Sequence, residues 1–452
     1  MTSAFEIEVS WEDAPGVTSP EIEATWSRMV IKVDGGVVTL VSGADGTPRS
    51  GLYVSAYPLA EWIAFNWWSL TNEVQASSVP SAEWTWACAT PSSWQQRHNL
   101  RAAGGGMSWP DLTIVPEGAV TSVTWLKSEP QAGGRGLRFL TSDRATLASD
   151  VVTETLEQFV ELVLERLRER SVRDTPLERE WLAVNAMDAD EQAFAATAGR
   201  LGLDPFSLDD VGTDELVAIG REYEQDLVGE ILDASESSVE ALREIAGWLH
   251  RATGIAAPSG DSTGLGLLLE SFEDSQMAVD PYRPWRAGYA SAKGVRDSIV
   301  AGRDGRGVSS VSRMVDSLAA IPVHGRAGAL EGFTLREHDH ALLLVPDREY
   351  APTRAQERFL KARSLGAHLL RRDRTRFILT STRTPLQQAA RAFAAELLAP
   401  ADVIREMLTK LGGHADTSAF DAIAAQLGVS PLVIQHQYDN QIARRASESL
   451  VL

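Results

Sequence analysis

Apolar and polar positions alternate strictly over Phe5-Glu6-Ile7-Glu8-Val9-Ser10-Trp11, the period of a strand with one buried face. Residues 29–41 predict two further strands about Asp34-Gly35-Gly36, residue types that tolerate a tight hairpin turn. Residues 59–70 suit a short helix, while 120–126 and 136–139 return to strand character. After Ser149 the period lengthens. Val152, Leu156, Phe159, Val163 and Leu167 form one stripe of a helix over 149–170, with Ser149-Asp150 as its cap.

Helices over 177–185, 190–201, 213–233 and 237–253 follow, and the Pro/Gly/Ser-rich segment 256–264 reads as a linker. From residue 281 the pattern predicts a helix led by Pro284-Trp285, another near 314–318 and a buried strand at 341–345. A helix opened by Pro352-Thr353-Arg354 comes next, then one over 385–398 stopped by Pro400. Two short helices, 418–426 and 431–441, meet at Leu427-Gly428-Val429-Ser430. The expected class is therefore α+β and multidomain. It comprises a Trp-rich α+β module over 1–148, a helical region with linker over 149–280, and a mostly helical domain with a small sheet over 281–452.

Composition sharpens this division. Ten of the thirteen tryptophans precede residue 126, a shift that marks a separate N-terminal module. With 452 residues, 44% hydrophobic and 23% charged, the chain has an ordinary globular make-up. It contains no run near the ~18 apolar residues of a membrane span. Met1-Thr2-Ser3-Ala4-Phe5-Glu6 lacks the basic and apolar stretches of an export signal, so a cytoplasmic location is expected. The single Cys88 excludes an internal disulfide and a cysteine-built metal site. A net charge of -20 disfavours broad nucleic-acid binding through phosphate repulsion, but leaves a local basic patch open.

Such a patch is expected on the helix from Arg354. Arg354, Arg358 and Lys361 share a face at i, i+4 and i+7; Arg363 follows, then Arg371, Arg372, Arg374 and Arg376. The segment 354–376 is thus a candidate contact for an anion, a nucleic-acid backbone or an acidic protein surface. In the N-terminal module, Arg97 and Arg101 precede Gly104-Gly105-Gly106, a candidate anion-binding loop. No Lys-Ser/Thr follows the glycines, so the loop is not a P-loop.

Several ordered matches carry a family resemblance. They are Pro284-Trp285 with Gly288-Tyr289, Arg358-Phe359 with Leu365-Gly366 and Leu369-Leu370, the run Ala392-Phe393-Ala394-Ala395-Glu396-Leu397-Leu398-Ala399-Pro400, and Ala424 with Leu427-Gly428-Val429-Ser430. On these, residues 281–445 resemble the ImmA/IrrE family of HExxH metallopeptidases. The resemblance implies a zincin-like domain with two ligands and a catalytic Glu on one helix and a third ligand on the next. Those roles fall on Arg363, Ser364, Ala367 and Ala389. Arginine is permanently cationic and alanine has no donor atom, so no metal or other cofactor is expected there.

Three residues remain as substitute ligands. His338 and His340 flank Asp339, and His368 lies one place past the second ligand position, a step that turns a helical side chain by about 100°. Ser364 has no Gly-x-Ser-x-Gly elbow around it to act as a nucleophile. By resemblance, the expected function is a non-catalytic regulator that binds a protein partner, such as a helix-turn-helix repressor, in a stress, toxin–antitoxin or phage-defence response. The alternatives are an active zinc endopeptidase with substituted ligands, and a nucleic-acid- or anion-binding protein using 354–376.

Overall fold

The structure, a computed structural model, describes residues 4–443 apart from 15, 17–18, 44–45, 75–92, 129–136, 209, 236–237, 256–277, 300–310, 312–313, 317, 326, 338–339 and 348–351. The expected linker, Trp84, Trp86, Cys88, His338 and the side chain of His340 fall outside the described residues. The fold is α+β and divides into two compact units, Met1–Val217 and Ala218–Leu452.

In the first unit β1 (Phe5–Trp11) runs antiparallel to β2 (Trp26–Val33), with Phe5 opposite Val33. Asp34 (φ 49°) and Gly35 (φ 81°) make the predicted turn into β3 (Gly36–Val37). β4 (Val41–Ser42) pairs with β5 (Pro48–Arg49), and β6 (Leu52–Ser55) pairs with β2. A second sheet has the order β10 (Asp143–Ala148), β8 (Val120–Leu126), β7 (Asp111–Pro116), while β9 (Arg138–Phe139) joins β4.

Around these sheets lie α1 (Pro20–Ala24), α2 (Tyr57–Phe65), α3 (Trp67–Asn72) and α4 (Ser93–His98). The single helix expected over 59–70 is two. Asn66 leaves helical geometry at φ -110°, ψ 13°, and its side-chain amide donates to the Trp62 carbonyl at 2.8 Å. α5 (Ser149–Glu169) buries the predicted stripe in the core that also holds Met29, Ile31, Trp62 and Ile63. Ser149 is not its cap; its hydroxyl donates to the Gly118 carbonyl at 2.9 Å instead. The Thr175 hydroxyl caps α6 (Pro176–Ala186), and an Asp188/Glu191 capping box opens α7 (Ala189–Arg200).

The expected helix over 213–233 is also two, α8 (Asp210–Glu222) and α9 (Gln225–Ala234), because Glu224 is extended at φ -61°, ψ 144°. The unit boundary falls inside α8. α5 completes the core of the first unit. In α10 (Val239–Thr253), buried Trp248 donates its indole N–H to the Val323 carbonyl at 3.1 Å, within the second unit.

The second unit has a four-stranded sheet in the order β11 (Ala319–Val323), β13 (His340–Pro346), β12 (Leu330–Glu337), β14 (Arg376–Thr380). β11 is parallel to β13 and the other pairs are antiparallel. Only β13 was expected, since Gly332, Thr334 and Arg336 interrupt the apolar pattern of β12. Helix α12 (Arg354–Leu370) lies on the sheet, and α11 (Pro284–Ile299) and α13 (Pro385–Leu398) pack against that helix and each other. They are followed by α14 (Ala401–Lys410), α15 (Thr417–Leu427) and α16 (Pro431–Gln437), which continues as a π turn, Tyr438–Ala443. Two glycines set the helix spacing. A Cβ on Gly288 would lie 2.2 Å from the Ala389 carbonyl oxygen, and one on Gly366 would lie 2.7 Å from Cδ1 of Phe393.

Candidate functional site

A Thr353/Gln356 capping box starts α12, and from Ala362 to its end every residue is buried. Arg363 lies 3% exposed. Its Nη1 pairs with the Glu331 carboxylate on β12, and its Nη2 donates to the Thr380 carbonyl at 2.6 Å and to Gln387 Oε1 at 2.8 Å. Gln387, from α13, also donates through Nε2 to the Ile378 carbonyl (2.6 Å) and accepts from the Thr380 amide (3.3 Å). The outward edge of β14 is completed by Glu230 of α9, which accepts the Ile378 N–H at 2.7 Å. An edge strand whose polar groups are thus answered by side chains offers little template for another strand. The Arg363 Nε–H is buried without a partner, which costs about 1–3 kcal/mol against this arrangement.

One turn along α12, Ser364 and His368 converge on Thr334 of β12, at 2.5 Å between hydroxyls and 2.9 Å to His368 Nε2. All three are fully buried. The imidazole sits edge-on to Phe377 at 5.1 Å, and its Nδ1 has no partner. Burial first, and the Arg336 charge second, push His368 down to about 3, so the ring is neutral near neutral pH. The arrangement packs α12 on β12.

The residues at the four positions do not fit a metal. A guanidinium repels one, Ala367 and Ala389 supply no side-chain donor, and Ser364 is engaged with Thr334. Among the described residues no group of three or more His, Cys, Asp or Glu side chains could hold a metal ion.

The residues of the expected basic face differ in burial. Arg354 alone of its four leading residues is exposed. Arg358 pairs with Asp316 at 3.0 Å and donates to the Leu427 and Gly428 carbonyls at 3.1 and 3.0 Å, satisfying the C-terminus of α15. Lys361 pairs with Glu357 one turn earlier, at 2.9 Å. Arg371 reaches Asp373 (2.9 Å) and Asp226 (3.3 Å), and Arg374 reaches Glu230 (2.9 Å). The acids of α9 therefore hold two of the four cations of the second basic run, Arg371 and Arg374, while Arg376 is exposed.

The N-terminal candidates are likewise committed. Arg97 grips Glu73 with Nε (2.7 Å) and Nη2 (2.5 Å). His98 Nδ1 lies 2.8 Å from the Ile114 carbonyl, which can only accept, so that nitrogen donates. Its Nε2 lies 3.0 Å from the Glu73 carboxylate. Burial pushes the Glu73 carboxyl up, but His98 and Arg97 outweigh it and hold the group below its ordinary value. Arg101 lies 3.7 Å from Asp111. Gly105 (φ 66°) packs against Pro58, where a Cβ would meet Cγ at 2.4 Å, so the glycine loop is shaped by close packing.

Sequence reasoning missed the partners: Glu73, Glu331, Gln387 and buried Glu396. The last pairs with Arg296 (2.9 Å) and accepts from Gln437 and Gln441 (2.8 and 2.7 Å), pinning the last helix to α13. Only the amide character of Gln387, two places before the third-ligand position, was a signal. No protein-family model and no curated protein sequence matches this chain. Among the described residues no single helix is long and apolar enough to cross a membrane.

Proposed function

We propose that the chain is a non-catalytic cytoplasmic regulator. In this reading its C-terminal unit keeps a peptidase-like frame and recognises a protein partner without cutting it. The observation that carries this reading is the occupation of the first-ligand position by Arg363, hydrogen-bonded to Glu331, Thr380 and Gln387. A helix that tied its ligand face to three neighbours has no open coordination position for a water and a peptide. Partner class comes from the ImmA/IrrE resemblance, whose active members act on helix-turn-helix repressors; stress, toxin–antitoxin and phage-defence responses are the settings it suggests.

The test is titration of the full-length chain with a panel of helix-turn-helix repressors, followed by intact-mass analysis of both proteins. A stable complex with both masses unchanged supports the reading. Cleavage of the repressor overturns its non-catalytic part, and no complex overturns the choice of partner. The active-peptidase alternative has no specific observation in its favour. The anion-binding alternative is weakened by the internal partners of Arg358, Lys361 and Arg363.

A further inference from the structure

Oxygens from three separate elements surround one guanidinium in the second unit. Glu331 is on β12, the Thr380 carbonyl ends β14, and Gln387 Oε1 belongs to α13. The two neutral oxygens are held without α12. Gln387 is held by its own bonds to Ile378 and to the Thr380 amide. The Thr380 carbonyl also accepts Arg391 Nη1 at 3.1 Å, and Thr380 and Gln387 are both buried. The Glu331 side chain is 34% exposed, which opens this cluster towards water on one side.

We propose that these three oxygens form a cage for a planar monovalent cation, that the Arg363 side chain is its resident ion, and that a free guanidinium ion binds there when that side chain is removed. Two donors on neighbouring nitrogens meet separate acceptors, a match to the rigid guanidinium fork that a compact ammonium does not reproduce. One carboxylate among three oxygens suits a single positive charge, whereas hard divalent ions gather more oxygen ligands, several of them carboxylate. The cage takes over the mechanical task of a bound ion, tying a helix to two strands and a second helix. This goes beyond the regulatory reading and does not need it, since the oxygens converge whether or not the chain cleaves anything.

Full-length Arg363→Ala tests the cage by thermal unfolding in millimolar guanidinium chloride against sodium chloride at equal ionic strength. The substitution lowers the midpoint of the C-terminal unit by on the order of 10 °C. Guanidinium, and not sodium, then raises the variant's midpoint while leaving wild type unchanged or slightly lowered. Equal midpoints of the variant in the two salts overturn the proposal. Should Arg363→Ala not fold, Arg363→Lys decides: a lowered midpoint that guanidinium does not restore is expected, because the ammonium fills the cage. Arg363→Lys as stable as wild type overturns the requirement for a planar ion. Peptide cleavage or zinc binding, measured separately, bears on the regulatory reading alone.

Discussion

Arg97 in the N-terminal unit and Arg363 in the C-terminal unit start as the same kind of residue, a cation expected to face an anionic partner. Both turn inward, and they differ in how their charge is balanced. Arg97 grips a whole carboxylate with two nitrogens, and His98 stands on the same oxygen as one of them. Arg363 meets one partly exposed carboxylate and two neutral oxygens, and leaves its Nε–H unanswered. The first is a compensated ion cluster that holds α4 to the residue ending α3. The second uses its charge to draw together elements far apart in the chain. Removing it therefore withdraws one shared donor from a buried amide, a buried carbonyl and a carboxylate at once.

The largest expected effect follows from that contrast. Arg363→Ala destabilises the C-terminal unit by about 2–5 kcal/mol, because a fully buried side chain and its bonds to three elements are lost together. Arg97→Ala costs the N-terminal unit about 1–3 kcal/mol, because its side chain is 16% exposed and His98 still answers Glu73. Urea unfolding, with Trp fluorescence reporting chiefly on the tryptophan-rich first unit and far-UV dichroism on both, separates the two. Equal losses would remove the distinction drawn here.

Close packing gives the next pair. Gly288→Ala drives a methyl into the Ala389 carbonyl, and Gly199→Ala drives one to 2.4 Å from the Trp68 carbonyl oxygen. Each costs about 1–3 kcal/mol of its own unit, with backbone on the far side of the clash and no flexible side chain to yield. Denaturant midpoints of the two variants check this; an unchanged midpoint for either would refute its packing role.

Acid and base sharpen the picture inside the second unit. His368 is held near 3 against an ordinary 6.5, so the unfolded chain takes up a proton that the folded one refuses. The stability this group supplies is complete above pH 6.5 and falls with decreasing pH towards 3, by about 1.4 kcal/mol per pH unit. Glu230 has the opposite sign. Burial lifts it to about 7 from 4.5, despite the Arg374 charge that lowers it. Its contribution is complete below pH 4.5 and lost as pH rises through 7. The two slopes oppose one another from 4.5 to 6.5 and leave a plateau there. In Glu230→Gln the plateau tilts upward towards neutral pH, as urea midpoints across the pH series will register; a plateau that survives the substitution contradicts the assignment.

The smallest effect belongs to Arg354→Ala. Exposed at the start of α12, this residue should be removable with no measurable change in unfolding, in contrast to Arg358 one turn further on.

Local pattern made much of this fold legible. The alternation of Phe5–Trp11, the Asp34-Gly35 turn and the stripe of α5 all appear where period and turn chemistry put them. Strands whose residues look mixed did not announce themselves. Thr334 and Arg336 sit in β12 because their polar atoms find partners across the sheet, in Ser364, His368 and the Arg372 carbonyl, and no local period records that. The site was legible to the same extent. Its cations could be counted along α12, but their direction depends on Glu331, Gln387 and Asp316, each far away in sequence and unremarkable by itself. A charge in a sequence is a charge on a surface only when the fold supplies no acceptor for it.

Metal analysis of the full-length protein, purified without chelator and dialysed against metal-free buffer, tests the central claim most directly. With Arg363 in the first-ligand position and hydrogen-bonded on both Nη atoms, less than stoichiometric zinc is predicted, and substituting His368 should leave the zinc content unchanged. One equivalent of zinc per chain, lost when His338, His340 or His368 is replaced, would contradict it.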